Sequence, residues 1–148
     1  MNIRNHIAEK DTDLYIEAER ESFKAAYPGV AITAEKEEYF NLSATQRYTD
    51  SQYQAFTLLD NDLPVGMVSI HIREKAPRPT CYVANIYIQS SHRGTDAFLL
   101  LLGAAEQLGK EVGAQSITLD VSTQNERALS AYKKQGFKTT HLSMEKML

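Results

Sequence analysis

The stretch Ile86-Tyr87-Ile88-Gln89-Ser90-Ser91-His92-Arg93-Gly94 leads from a β-type run into an apolar helical repeat that begins near Phe98. A strand that turns sharply into a helix presents several unpaired backbone N–H groups, and the helix dipole adds positive potential there. A diphosphate suits such a junction. Arg93 adds a cation at the rim, and Thr95 is a candidate N-cap. Asp96 works the other way. At about 6 Å from a phosphate charge, with an effective dielectric of ~20, its carboxylate repels by about 3 kcal/mol. Attraction at a helix terminus is only ~0.3–2 kcal/mol. Either Asp96 turns away, as suits an acidic residue in a first helical turn, or binding there is weak.

A second set lies downstream: Asn125, Tyr132 and Gly136-Phe137. Taken singly, Asn125 is an N-cap, Tyr132 a packed aromatic with a wetted tip, and Arg93-Gly94 a turn. His6, His71, His92 and His141 form neither an i, i+4 pair nor a cluster with cysteine, so no metal site is expected. His71 reads as a strand residue with a satisfied hydrogen bond, and Cys81 as a small buried hydrophobe. Glu17, Glu19, Glu21, Glu35, Glu37 and Glu38 read as solvated helix surface.

The elements that must position these residues follow from period and punctuation. Met1 to Ile7 reads as a strand. A helix is expected from about Asp13 to Ala26, capped within Asp11-Thr12-Asp13 and ended by Pro28-Gly29. Thr33 caps a second helix, roughly Ala34 to Leu42. Tyr53 to Leu59 and Val65 to Arg73 form a hairpin about Asp60-Asn61-Asp62. Cys81 to Ile88 is the next strand. Phe98, Leu101, Leu102, Ala105, Leu108 and Val112 mark one face of a long helix closed by Gly113. Leu99 and Leu100 widen that face, which implies deep burial or a partner surface. Ser116 to Val121 alternates as a half-buried strand. Asn125 caps a short helix to about Lys134, and a last strand is expected from Phe137 toward Met144. This order implies an α/β (α+β) fold: one mixed, largely antiparallel sheet with helices on its faces.

With 148 residues and a formal net charge of −3, the chain has room for one core and lacks the basic excess that nucleic acid demands. The longest apolar run is far short of the ~20 residues that span a bilayer. The first eight residues lack the apolar centre of a secretory leader. A single cysteine excludes a disulfide framework, which makes a reducing cytoplasm the expected setting.

From Cys81 to Phe137 the sequence resembles the GNAT family of N-acetyltransferases. Residues 125–137 match that family's N-x-x-A-x-x-x-Y-x-x-x-G-F pattern at every named position, and residues 86–94 lead into its cofactor loop. The resemblance implies a single GNAT-like domain over residues 1–148 that uses acetyl-CoA. It implies that backbone N–H groups near Ile86, Tyr87 and Ile88 hold the pantetheine and the thioester carbonyl. Arg93, Gly94, Thr95 and Asp96 would surround the pyrophosphate, and Asn125 would bond the pantetheine arm. Tyr132 would stand near the sulfur, where a phenol of pKa near 10 stays protonated at neutral pH and can give a proton to the departing thiolate. The acceptor would be a small-molecule or peptide amine, drawn by the acidic helices, and a homodimer through Leu99 and Leu100 is a further expectation.

The family loop reads R/Q-x-x-G-x-G/A, and here Asp96 and Phe98 replace the small residues. The glutamate that many members carry on the preceding strand is also missing: Ala84, Asn85 and Tyr87 stand there instead. His71 or an ordered water is a substitute base. A non-catalytic acyl-CoA-binding or interaction domain is the alternative that these departures favour.

Overall fold

Two central strands are set by a two-residue turn. β2 (Tyr53–Asp60) and β3 (Leu63–Arg73) are joined by Asn61 and Asp62, with φ of 49° and 64°. Asn and Asp tolerate the left-handed region, and two such residues in succession twist the chain in the sense the flanking strands require. The structure is a computed structural model that describes the backbone of residues 1–148 and every side chain but that of Tyr48. Its sheet has the order β1 (Asn2–Asn5), β2, β3, β4 (Thr80–Ile88) and β5 (Ser116–Thr118). All neighbours are antiparallel except β4 and β5. A parallel pair needs a crossover, and α3 (Ala97–Glu111) supplies it.

Each face of the sheet has its own apolar cluster. Leu58, Val68, Ile70, Cys81 and Val83 pack against Leu101 and Ala105 of α3. On the other face, Met67 and Tyr87 meet Leu14, Tyr15 and Ala18 of α1 (Ala8–Ala26) and Ala44 of α2 (Ala34–Thr49). The apolar stripe read from α3 is the buried one, and each fully buried leucine contributes about 1.5–3 kcal/mol. Leu99 and Leu100 lie outside it, at 48% and 37% exposed.

Four expectations need correction. Helix α1 begins at Ala8, a full turn before Asp13, because Asp11 sits inside its first turn and accepts the Ile7 amide at 2.8 Å. Helix α2 continues past Leu42 to Thr49; Ala44 is buried and Arg47 reaches Glu19 on α1, so tertiary contact overrides the weak local propensity of Ser43 and Thr45. Strand β5 stops at Thr118 rather than Val121. The last strand does not form: residues 137–148 have no regular structure. Alternation there sets Phe137 with Thr139 and His141, and Leu142 with Lys138 and Thr140, so neither face is apolar enough to be held against a core.

Candidate functional site

Strand β4 outruns its parallel partner. β5 pairs with it only across Thr80–Tyr82, after which the two separate, and the Tyr82 hydroxyl donates to Asp120 at 2.8 Å across the opening. From Val83 to Ile88, one edge of β4 therefore faces a gap. The Gln89 amide donates to the Val65 carbonyl on the β3 side at 2.9 Å. Because backbone groups alternate along a strand, Tyr87 shares that direction, while the N–H groups of Ile86 and Ile88 turn into the gap. The carbonyl of Ile88 looks the same way and accepts from Arg93 Nε at 3.1 Å.

Gly66 sets the other side of β4. A Cβ at this position would stand 2.8 Å from the Tyr87 carbonyl oxygen and 3.3 Å from Leu101 Cδ1. Gly66→Ala should therefore push β4 out of place and cost about 1–3 kcal/mol, as overpacking does. A melting curve that superimposes on the wild type would refute the crowding.

A one-residue irregularity in β4 decides which side chains face which helices. Ser69 pairs with Asn85 and Ile70 with Val83, so Ala84 is the extra residue. Before it, Cys81 and Val83 face α3; after it, Ile86 and Ile88 do. The bulge swings Asn85 and Tyr87 onto the α1 face. There the Tyr87 hydroxyl donates to Glu17 Oε1 at 2.6 Å, and Asn85 Nδ2 donates to Glu19 Oε1 at 3.4 Å. Burial, reinforced by Glu17, pushes the Tyr87 phenol up. Arg47 Nη1 reaches the same Glu19 oxygen at 3.2 Å, and the Glu19 side chain is only 15% exposed. The reading of Glu17 and Glu19 as solvated surface is thus corrected. Their i, i+2 spacing on an amphipathic helix gave no sign of it; the signal lies in the bulge, which no glycine or proline marks. His71 stacks on Tyr53, with ring centroids 4.3 Å apart, and its Nδ1 accepts from Arg73 Nε at 3.4 Å.

The junction into α3 is braced on both sides. A 3₁₀ turn at Ser90–His92 is tied to the β2–β3 hairpin by His92 Nε2 and Asp60 Oδ2, 2.9 Å apart. Gly94 then takes φ 78°, open to glycine at little cost. Asp96, not Thr95, occupies the N-cap position. Thr95 still does capping work: its Oγ1 donates to the His92 carbonyl at 2.6 Å and accepts from the Ala97 amide at 3.3 Å. The Asp96 carboxylate makes no capping bond and is exposed. The amides of Phe98 and Leu99, in the first turn, have no acceptor within the helix.

Tyr132 lies on α4 (Glu126–Lys134), whose N-cap is Asn125. The cap is made by the side chain: Asn125 Oδ1 accepts from the Ala128 amide at 3.2 Å, which leaves its Nδ2 to reach a ligand. The Tyr132 ring is wedged edge-on between Phe98 and Phe137, at centroid distances of 5.6 and 5.4 Å. Burial pushes its phenol up to about 12. Phe98 is therefore not a core residue of α3 alone; half-buried, it ties the first turn of α3 to Tyr132. An open groove of ≈ 350 Å³ runs past Phe98, Arg127, Ala131 and Lys134. The structure thus brings Ile86, Tyr87, Ile88, Arg93, Gly94, Thr95 and Asp96 into one continuous segment, with Tyr132 joined to it through Phe98.

Comparison with known proteins identifies the family and the fold. The family model described as acetyltransferase (GNAT) matches residues 15–137. An uncharacterized N-acetyltransferase of Bacillus subtilis, YdgE, is 23% identical over 118 residues, which cover 80% of this chain and 75% of that protein. The N-alpha-acetyltransferase 30 of Schizosaccharomyces pombe is 34% identical over 86 residues, 56% of either chain. An aminoglycoside 6′-N-acetyltransferase from Acinetobacter haemolyticus shares the fold, with a TM-score of 0.76, 17% identity and coverage of 100% of this chain and 99% of that one. With the family's pattern matched over most of its length and its fold reproduced, the chain belongs to the GNAT family of acetyltransferases.

Proposed function

We propose that this protein transfers an acetyl group from acetyl-CoA to a primary amine by direct attack, with Tyr132 as the proton donor. The observation that carries the reading is the gap beside β4, into which the Ile86 and Ile88 amides turn. Bound there, acetyl-CoA supplies a thioester that an amine can attack. The donor set fits it: outward amides for the pantetheine and carbonyl, the first turn of α3 with Arg93, Gly94 and Thr95 for the pyrophosphate, and Asn125 Nδ2 for the arm. Tyr132 keeps its proton throughout the neutral range and is held in a fixed orientation by two aromatic neighbours. A similar N-alpha-acetyltransferase and a similar aminoglycoside acetyltransferase make a peptide terminus and an amino sugar reasonable first acceptors.

Calorimetric titration with acetyl-CoA tests the binding, followed by acetylation of spermidine, kanamycin and a peptide with a free N-terminus. No heat of binding would overturn the reading. A second reading, a domain that binds acyl-CoA without turnover, is favoured by the exposed Asp96 carboxylate at the mouth of α3. It predicts binding with none of the three amines acetylated. Asp96→Gly separates the effects. Removing a carboxylate worth even half the repulsion estimated above should tighten acetyl-CoA binding about tenfold. An unchanged or weaker affinity would mean that Asp96 points away from the phosphates.

Among the described residues, no helix is long and apolar enough to cross a membrane. The cytoplasmic setting rests on the lone buried Cys81, and a homodimer would use the exposed Leu99 and Leu100.

A further inference from the structure

We propose that Glu19 takes the proton from the acceptor amine, an assignment that rests on the transferase reading above. An alkylammonium must lose a proton before it can attack. The strand beside the gap offers Asn85, which takes no proton at neutral pH. The bulge at Ala84, however, carries Asn85 to the α1 face, where its Nδ2 lies 3.4 Å from Glu19 Oε1. Directly across from Asn85 in register stands Ser69, 2% exposed, whose Oγ has no partner among the described residues. A buried hydroxyl left unpaired is unfavourable. Paired strand residues on one face stand side by side, so this unpartnered hydroxyl lies beside the Asn85–Glu19 pair and is available to an amine N–H. Helices α3 and α1 cover opposite faces of the sheet. Tyr132, packed on Phe98 of α3, serves one face, and Glu19 the other.

The groups around Glu19 are Arg47 of α2, Tyr15 one turn back on α1, Asn85 of β4, and the Ser69 row of β3 along which His71 follows. Glu17 is engaged with the Tyr87 hydroxyl. In the proposed step, Glu19 takes one proton from the ammonium, and the nitrogen lone pair forms the C–N bond. The C–S electron pair leaves with sulfur, which receives the Tyr132 proton. The second amine proton restores Tyr132 through solvent, and Glu19 releases its own; the sum is amide, thiol and one proton.

The test compares Glu19→Gln with Arg47→Met, using acetyl-CoA and whichever of spermidine, kanamycin or the peptide the wild type acetylates. Glu19→Gln should lower kcat by about 10²-fold or more, leave the acetyl-CoA Kd unchanged, and remove the acid limb of the pH–rate profile. Arg47→Met breaks the ion pair but keeps the carboxylate; its kcat should stay within about tenfold of wild type. Equal losses in the two variants would make Glu19 a brace between α1 and α2 and overturn the assignment, as would a Glu19→Gln profile that retains the wild-type rate and limb. Should Glu19→Gln fail to fold, Glu19→Asp, which retracts the charge, must still show the loss of kcat. A wild type that does not bind acetyl-CoA, or that binds it and acetylates none of the amines, overturns the transferase reading and this assignment with it.

Discussion

Tyr132→Phe is expected to lower turnover by about 10²–10³-fold, the range for loss of a positioned proton donor, with acetyl-CoA affinity nearly unchanged. The substitution removes only the hydroxyl. The ring remains edge-on to Phe98 and Phe137, so the packing that locates α4 against α3 is kept and a stability loss is not the expected cause. Thiolate expulsion from a buried site needs a proton, and a phenol held at about 12 by desolvation still carries one throughout the neutral range. The sign follows directly. A group with a raised pKa loses its proton only as pH rises toward that value, so Tyr132 imposes no alkaline limb in the neutral range. In the variant, water must supply the proton, and the defect should be larger for poor leaving groups than for good ones. Steady-state rates with acetyl-CoA, paired with calorimetry on the same sample, check both halves. Turnover within a few-fold of wild type would leave Tyr132 as packing alone.

Much of this arrangement is legible from local signals. The β2–β3 hairpin is written in Asn61-Asp62, whose left-handed φ values suit those residue types, and α3 in an apolar stripe with one period throughout. The register of Asn125, Tyr132 and Gly136 locates α4 to within a residue. The rest depends on partners distant in sequence. The start of α1 is set by Asp11, which takes the Ile7 amide and is itself held by Thr57 and Arg4, 46 and 7 residues away. The face that Asn85 takes depends on a bulge against Ser69, and simple alternation from Cys81 would have kept Asn85 on the α3 side. The roles of Glu17 and Glu19 are invisible for the same reason, since only the bulge brings β4 side chains to meet them. The fold and the β4–α3 junction were thus readable from local chemistry, whereas the surroundings of Glu17 and Glu19 are built from contacts between α1, α2 and β4.

Asp11→Ala should cost about 3 kcal/mol or more, the scale for breaking a buried charge pair. For a chain of this size that lowers Tm by roughly 6–12 °C. The carboxylate is fully buried; Oδ2 accepts from Arg4 Nη1 at 2.6 Å, the Ile7 amide at 2.8 Å and the Thr57 hydroxyl at 2.9 Å, while Oδ1 accepts from Arg4 Nη2 at 3.0 Å. Because Thr57 gives its proton to Asp11, the contact of 2.8 Å between its Oγ1 and His6 requires the imidazole to donate from Nδ1. One carboxylate thus joins β1, β2 and the first turn of α1, the helix that carries Glu17 and Glu19 to β4. Burial alone would push the Asp11 carboxyl up, but the bonds from Arg4, Ile7 and Thr57 outweigh it and hold the group below its ordinary 3.8. Its contribution is therefore present above that pH and lost as pH falls toward the folded value. Burial also holds His6 below 6.5 against the pull of Asp11, so the unfolded chain binds that proton more readily and stability begins to fall as pH drops below 6.5. The wild type should lose Tm in two stages on acidification, and Asp11→Ala should lack the second. A variant that melts within 2 °C of wild type would be a shift below about 1 kcal/mol, and would show that the cluster is not what anchors α1.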